Sequence, residues 1–205
     1  TNAPKFSSIL FADPDRIDAH LLEAHAKAYQ AIKAGPGDFP VGVTLTTQAI
    51  EAVGKGSIAP DMEKMLYGNW WDAVNASDFV GVQTYTRFRF DSKGIMQPPP
   101  GAELTAAGYE YYPQALGHMI RLAARKTRKP IFVTESGIAT DDDTRRIAWI
   151  DASVAEVERC LGEGIDVRSY IYWSLLDNFE WTQGYSQHFG LVAVDRGTFV
   201  RTPKP

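Results

Sequence analysis

PIFVTESG (130–137) decides how this chain is read. Its apolar run is too short for a helix and too continuous for a strand with one wet face. It closes on a carboxylate, Glu135, followed by a Ser136-Gly137 turn. Three more segments share that character: FPVGVTLT (39–46), DFVGVQTY (78–85) and SYIYWSLLD (169–177). Near-continuous apolar runs point to strands covered on both faces, as in a parallel sheet.

Working outward, the stretches between these strands carry helical spacing. Residues 15–35 are Ala-rich, with Gly35 as a stop signal; 59–77 and 111–129 behave alike. Residues 141–164 begin with three successive Asp, where the dipole of a helix N-terminus favours acids. Helix and strand therefore alternate along the chain, the βαβ order of a parallel α/β protein. PPPGAELTAAG (98–108) reads as a surface loop after the second strand. Strand ends then narrow the class. Gln83 with Tyr85, Glu135 and Trp173 all fall where strands finish, and in parallel α/β folds that end carries the site. A closed (β/α)8 barrel takes about 250 residues, and these four strands cannot close one, so the expectation is half a TIM barrel.

Composition sets limits. The 205 residues are 44% hydrophobic and 22% charged, ordinary for a globular domain with a sizeable core. A net charge of −4 leaves no basic footprint, so nucleic acid is not an expected partner. No apolar run approaches the ~18 residues of a membrane span. Cys160 stands alone, so no disulfide or multi-thiolate metal site is expected, and a reducing, cytoplasmic setting with no cofactor is the default. His20 and His25 fall on different sides of a helix and are expected to be solvated. The sequon Asn75-Ala76-Ser77 is read as chance. No strand is followed by a Gly-rich phosphate loop, which argues against a doubly wound nucleotide fold.

The densest stretch is YIYWSLLDNFEWTQGYSQHFGLVAVD (170–195). Indole rings stack on the apolar C–H faces of sugars, and a nearby carboxylate grips hydroxyl pairs. Trp173, Glu180 and Trp181 together suit a sugar pocket, although Trp173 taken alone fits a core strand better. Glu135 at a buried strand end suits a nucleophile or general base. VTESG by itself also fits a Glu that hydrogen-bonds a helix N-terminus.

VTESG, followed by YIYWSLLDNFEWTQGY, FGLVAVD and RTPK, resembles family 1 of the glycoside hydrolases, the β-glucosidase family. That family's pattern runs (I/V)TE(N/S)G, YxxWSLxDNFEWxxGYxxRFGLxxVD, RxPK. DFVGVQTYTR (78–87) is similar to its sixth-strand segment DFxGxNYY(T/S), and RIDAHLLEAHAKA (16–28) to the helix after its fourth strand. The resemblance implies a TIM barrel to which this chain supplies roughly strands 5–8, with 1–205 a single domain forming the barrel's C-terminal half. It implies a retaining β-glycosidase acting on β-linked glucosides. Glu135 would be the nucleophile and Tyr85 would hydrogen-bond it. Trp173 would floor the subsite of the non-reducing sugar, while Glu180 and Trp181 would bind its outer hydroxyls. Gln83-Thr84 replaces the more usual Asn-Tyr, which puts hydrogen bonding on the leaving-group side in question. His188 takes the place of a usual Arg.

The family also carries T-x-N-E-P at the end of its fourth strand, where Asn holds the sugar 2-hydroxyl and Glu is the general acid/base. Asn2-Ala3-Pro4 falls in that place, which implies that Asn2 binds substrate and that Ala3 occupies the acid/base position. A non-catalytic sugar-binding or scaffold half-barrel is the alternative. The expected partners are a small β-glycoside and a complementary N-terminal half-barrel, in the same or a separate chain.

Overall fold

A computed structural model of the chain describes residues 13–205. The positions of Asn2 and Ala3 lie outside the described residues. Helix α1 (Pro14–Lys33) leads into β1 (Gly42–Ala52), α2 (Ala59–Asn75), β2 (Phe79–Phe90), α3 (Ala115–Thr127), β3 (Ile131–Ser136), α4 (Asp143–Gly162) and β4 (Val167–Tyr172). The strands form one parallel sheet in the order β1-β2-β3-β4. A short antiparallel pair, β5 (Val192–Val194) and β6 (Arg201–Pro203), follows. This alternation is part of a (β/α)8 barrel.

Local chemistry sets the ends of the helices. The Asp142 side chain caps α4 by accepting from Thr144 N–H at 2.9 Å, and Asp143 adds an acid to its first turn. The α3 helix ends on Arg128 in the left-handed region at φ 53°, with Arg125 and Lys126 in its last turn facing the negative end of the helix dipole. Val80, Val82, Ile131 and Val133 point away from the barrel interior and are fully buried under Leu116, Met119, Ile120 and Ala123 of α3. Burying each such side chain contributes about 1.5–3 kcal/mol.

Only one face of the sheet is covered to that degree. Thr44, Thr46 and Ile171 are exposed, so the expectation of strands buried on both faces holds for the helix side alone. Among the described residues no element lies across the inner face.

Two strands run further than their apolar runs predict. The β1 strand reaches Ala52 and β2 reaches Phe90 because ion pairs lace their polar ends together. Arg87 Nη1 meets Glu51 Oε2 at 2.6 Å and Arg89 Nε meets Glu51 Oε1 at 3.3 Å. The β5–β6 pair has no counterpart in the sequence reading. His25 departs from it too: half-buried, its Nε2 lies 2.8 Å from Ser77 Oγ, where α1 docks beside the end of α2. Among the described residues no helix is long and apolar enough to cross a membrane.

Candidate active site

Register shifts in the sheet build the site. Gly81, Gln83 and Tyr85 alternate on the inner face of β2. Opposite them, Val82 pairs with Val133 but Gln83 pairs with Glu135, so Thr134 is an extra residue in β3. A Cβ on Gly81 would press on the side chains of Thr44 and Thr134, which places Thr134 on the inner face as well. The bulge thus turns two successive residues inward, and the second is Glu135. Bulges re-aim side chains in this way beside functional sites.

The Glu135 carboxylate is held at both oxygens. Tyr85 donates its hydroxyl to Oε2 at 2.5 Å, and Gln83 Nε2 donates to Oε1 at 2.9 Å. Thr46 in turn donates to Gln83 Oε1 at 3.0 Å, fixing the amide orientation. Burial, followed by the bond to Glu135, pushes the Tyr85 hydroxyl far above its ordinary pKa. Tyr85 therefore stays a donor across any working pH. Its ring packs edge-on against Phe189, with centroids 5.9 Å apart.

Trp173 follows β4 immediately, and its N–H donates to Ser136 O at 2.9 Å, tying it to the strand that carries Glu135. The Trp173–Ser174 peptide is cis. Gly137 is needed beside it, because a Cβ there would collide with the Trp173 carbonyl. The loop beyond is anchored from below. Asp177, 8% exposed at its side chain, accepts from Gly190 N–H at 2.8 Å and from Lys204 Nζ at 3.0 Å. Lys204 follows β6 directly, so the short antiparallel pair supports the loop that carries Glu180. At the loop's tip Glu180 N–H meets Gly184 O at 2.6 Å, and Trp181 sits at φ 41° with 85% of its surface exposed. Burial, and then the charge of Glu135, raises the Glu180 pKa above the usual carboxylate range.

Glu135, Tyr85, Trp173, Glu180 and Trp181 line one cleft of about 310 Å³. A larger groove of about 580 Å³ lies between α1 and α2, away from these carboxylates and mostly apolar. The cleft sits at the C-terminal ends of parallel strands, the position at which barrel enzymes carry their chemistry. A carboxylate there, oriented by two donors, can attack an electrophilic carbon, and the exposed indole beside it can stack a sugar.

Sequence reasoning did not assign Thr46, Gln48, Tyr109 or Phe189 to this cleft. Gln83 stood out as a strand-end residue and as a departure from Asn, with no role assigned; here it contacts Glu135 directly. His188 lies outside the cleft, with Nδ1 2.5 Å from Asp141 Oδ1. On α1, Glu23 pairs with Lys27 at 2.6 Å. Among the described residues no group of His, Cys, Asp or Glu is arranged to hold a metal ion.

The glycosyl hydrolase family 1 pattern matches residues 76–205, and the chain belongs to that family. It is 30% identical over 217 aligned positions to a β-galactosidase of Saccharolobus solfataricus, covering 87% of this chain and 44% of that protein. Over 142 residues it is 36% identical to β-glucosidase A of Thermotoga maritima, covering 62% of this chain and 32% of the relative. A solved apo structure of a β-glucosidase, number 1317, superposes with a TM-score of 0.93 at 43% identity, over 100% of this chain and 50% of its own. The chain spans about half the length of the relatives it matches.

Proposed function

We propose that residues 1–205 form the C-terminal half of a retaining β-glycosidase barrel and carry its nucleophile. The substrate class is a small β-linked glycoside, with glucosides favoured by the Glu180-Trp181 pair. Glu135 attacks the anomeric carbon, the aglycone oxygen departs, and a glycosyl ester forms on Glu135. Water then attacks the same carbon from the other side, and Glu135 leaves as the carboxylate. Tyr85 and Gln83 orient Glu135 and receive its returning charge. Trp173 floors the sugar subsite, Glu180 and Trp181 hold outer hydroxyls, and Asn2 binds the 2-hydroxyl. The observation that carries this reading is the Glu135 carboxylate clamped at both oxygens, 2.5 Å from Tyr85 and 2.9 Å from Gln83, in a cleft shared with Trp173 and Glu180.

Ala3 occupies the acid/base position and cannot move a proton. General acid/base assistance is worth about 10²–10⁴-fold, so unactivated glycosides react slowly and activated aryl glycosides remain competent. Within the described residues β1 and β4 are the outer strands of the sheet, which supports a complementary N-terminal half as the barrel partner, in the same or a separate chain. Ala3 is also what favours the second reading, a sugar-binding half-barrel without turnover. Dinitrophenyl β-glucoside separates the two. The enzyme releases a rapid burst of dinitrophenolate, and added azide, which needs no base to attack the glycosyl ester, raises the steady rate and yields β-glucosyl azide. A folded, sugar-binding protein with no burst and no azide product overturns the enzyme reading.

A further inference from the structure

The pairing of β1 with β2 slips at one place. Thr47 faces Thr84, yet Ala49 faces Arg87, so Tyr85 and Thr86 both stand opposite Gln48. A bulge of this kind takes backbone N–H groups out of the ladder, and buried ones must find another acceptor. Here a side chain supplies it: Gln48 Oε1 accepts from Thr86 N–H at 2.9 Å and from Tyr85 N–H at 3.3 Å. We propose that Gln48 is the positioning residue that sets the Tyr85 hydroxyl on Glu135. The inference rests on the glycosidase reading for its kinetic meaning but not for its geometry.

Gln48 is itself fixed from outside the barrel. Its N–H donates to the Tyr67 hydroxyl at 2.9 Å, and that hydroxyl donates to the Gln48 carbonyl at 3.1 Å. Tyr67 is 5% exposed and packs edge-on against Trp71 of the same helix, with centroids 6.1 Å apart. The far side of the bulge is held as well, by Thr86 Oγ1 donating to the Glu110 carbonyl at 2.9 Å. A continuous series of bonds therefore runs from α2 through Gln48 to the bulge, and from the bulge through Tyr85 to Glu135. Reach matters at the Gln48 step. An amide one methylene shorter falls short of the two N–H groups, and Met fills the volume without accepting. Either change frees the bulge, swings the Tyr85 ring and takes the hydroxyl away from the carboxylate, while Gln83 keeps its own bond to the other oxygen.

The test uses the full-length protein. A crystal structure of Gln48→Met is expected to show the Tyr85 to Glu135 separation beyond hydrogen-bonding distance, more than about 3.5 Å. In parallel, Gln48→Met, Tyr85→Phe and the double variant are trapped as 2-fluoroglucosyl adducts and the adduct lifetimes are followed. Gln48→Met lengthens the lifetime by roughly 4- to 12-fold, as losing part of a charge-assisted hydrogen bond does, and adds less than about twofold in the Tyr85→Phe background. An intact bond in the variant crystal, or an equal effect with and without the Tyr85 hydroxyl, overturns the proposal. If Gln48→Met does not fold, Gln48→Asn goes through the same comparison. Absence of any adduct on the wild-type protein sinks the glycosidase reading, and the crystal result still decides the role of Gln48.

Discussion

Replacing Tyr85 by Phe removes one oxygen and leaves the ring packing on Phe189 in place. The bond lost is an O–H to carboxylate contact of 2.5 Å, of the charge-assisted kind. Such bonds contribute about 1.5–3 kcal/mol. In the proposed mechanism their effect differs between the two chemical steps. During attack Glu135 gives up charge, so a donor on its oxygen favours the ground state as much as it orients the nucleophile. When the sugar leaves, charge returns to the carboxylate, and the same donor stabilises the transition state. If about half of that charge has returned at the barrier, the loss is roughly 0.75–1.5 kcal/mol, or about 4- to 12-fold slower deglycosylation. Gln83 still holds the other oxygen, so complete inactivation is not expected. The assay is time-resolved mass spectrometry of the 2-fluoroglucosyl protein after removal of free reagent. Because Tyr85 keeps its proton far above neutrality, the difference persists to alkaline pH. A lifetime within twofold of wild type, or a shorter one, refutes the reasoning.

Asp78 anchors α1 and the start of β1. The ammonium of Lys33, then the Val41 N–H, holds its carboxyl down to about 2, against an ordinary 3.8. The folded value lies below the unfolded one, so the stabilisation is present above about pH 3.8 and is lost as pH falls toward 2. Asp78→Asn accordingly lowers the melting temperature at pH 7, and its deficit narrows through that window. Gly137→Ala drives a methyl into the Trp173 carbonyl, which is expected to cost about 1–3 kcal/mol in denaturant unfolding and to weaken sugar binding at the same time. Trp181→Ala separates those effects: at 85% exposure, its loss leaves stability within about 0.5 kcal/mol while sugar affinity drops, as titrated by calorimetry. Glu180 takes up a proton at higher pH than an ordinary carboxylate, so sugar binding fades early as pH falls. Glu135→Gln removes one cause of that shift and moves the midpoint of the fade to lower pH.

The parallel order of the strands was legible because each one carries an apolar run, and on the helix side Val80, Val82, Ile131 and Val133 are buried as that pattern requires. Their lengths were less so. The far ends of β1 and β2 are polar, and Glu51, Arg87 and Arg89 extend them only by meeting across the two strands. Glu135 and Trp173 stood out as residues delivered at strand ends. Gln48 did not, because its role arises from the β1–β2 register slip, which depends on two segments pairing and on no local pattern. His25 was misjudged for a similar reason: helical spacing gives its position on α1 but not the Ser77 hydroxyl that α2 brings to it. The three-residue strands β5 and β6 are too short to carry a period, though they hold Lys204 beneath Asp177.

The central claim is that Glu135 is the carboxylate that takes the sugar. Incubating the full-length protein with an activated 2-fluoro-β-glucoside, digesting it and sequencing the labelled peptide by mass spectrometry tests this directly. One fluoroglucosyl group on Glu135, absent from Glu135→Gln, is the result the account predicts. Label on Glu180 or another residue, or none on a folded protein that binds the sugar, would contradict it.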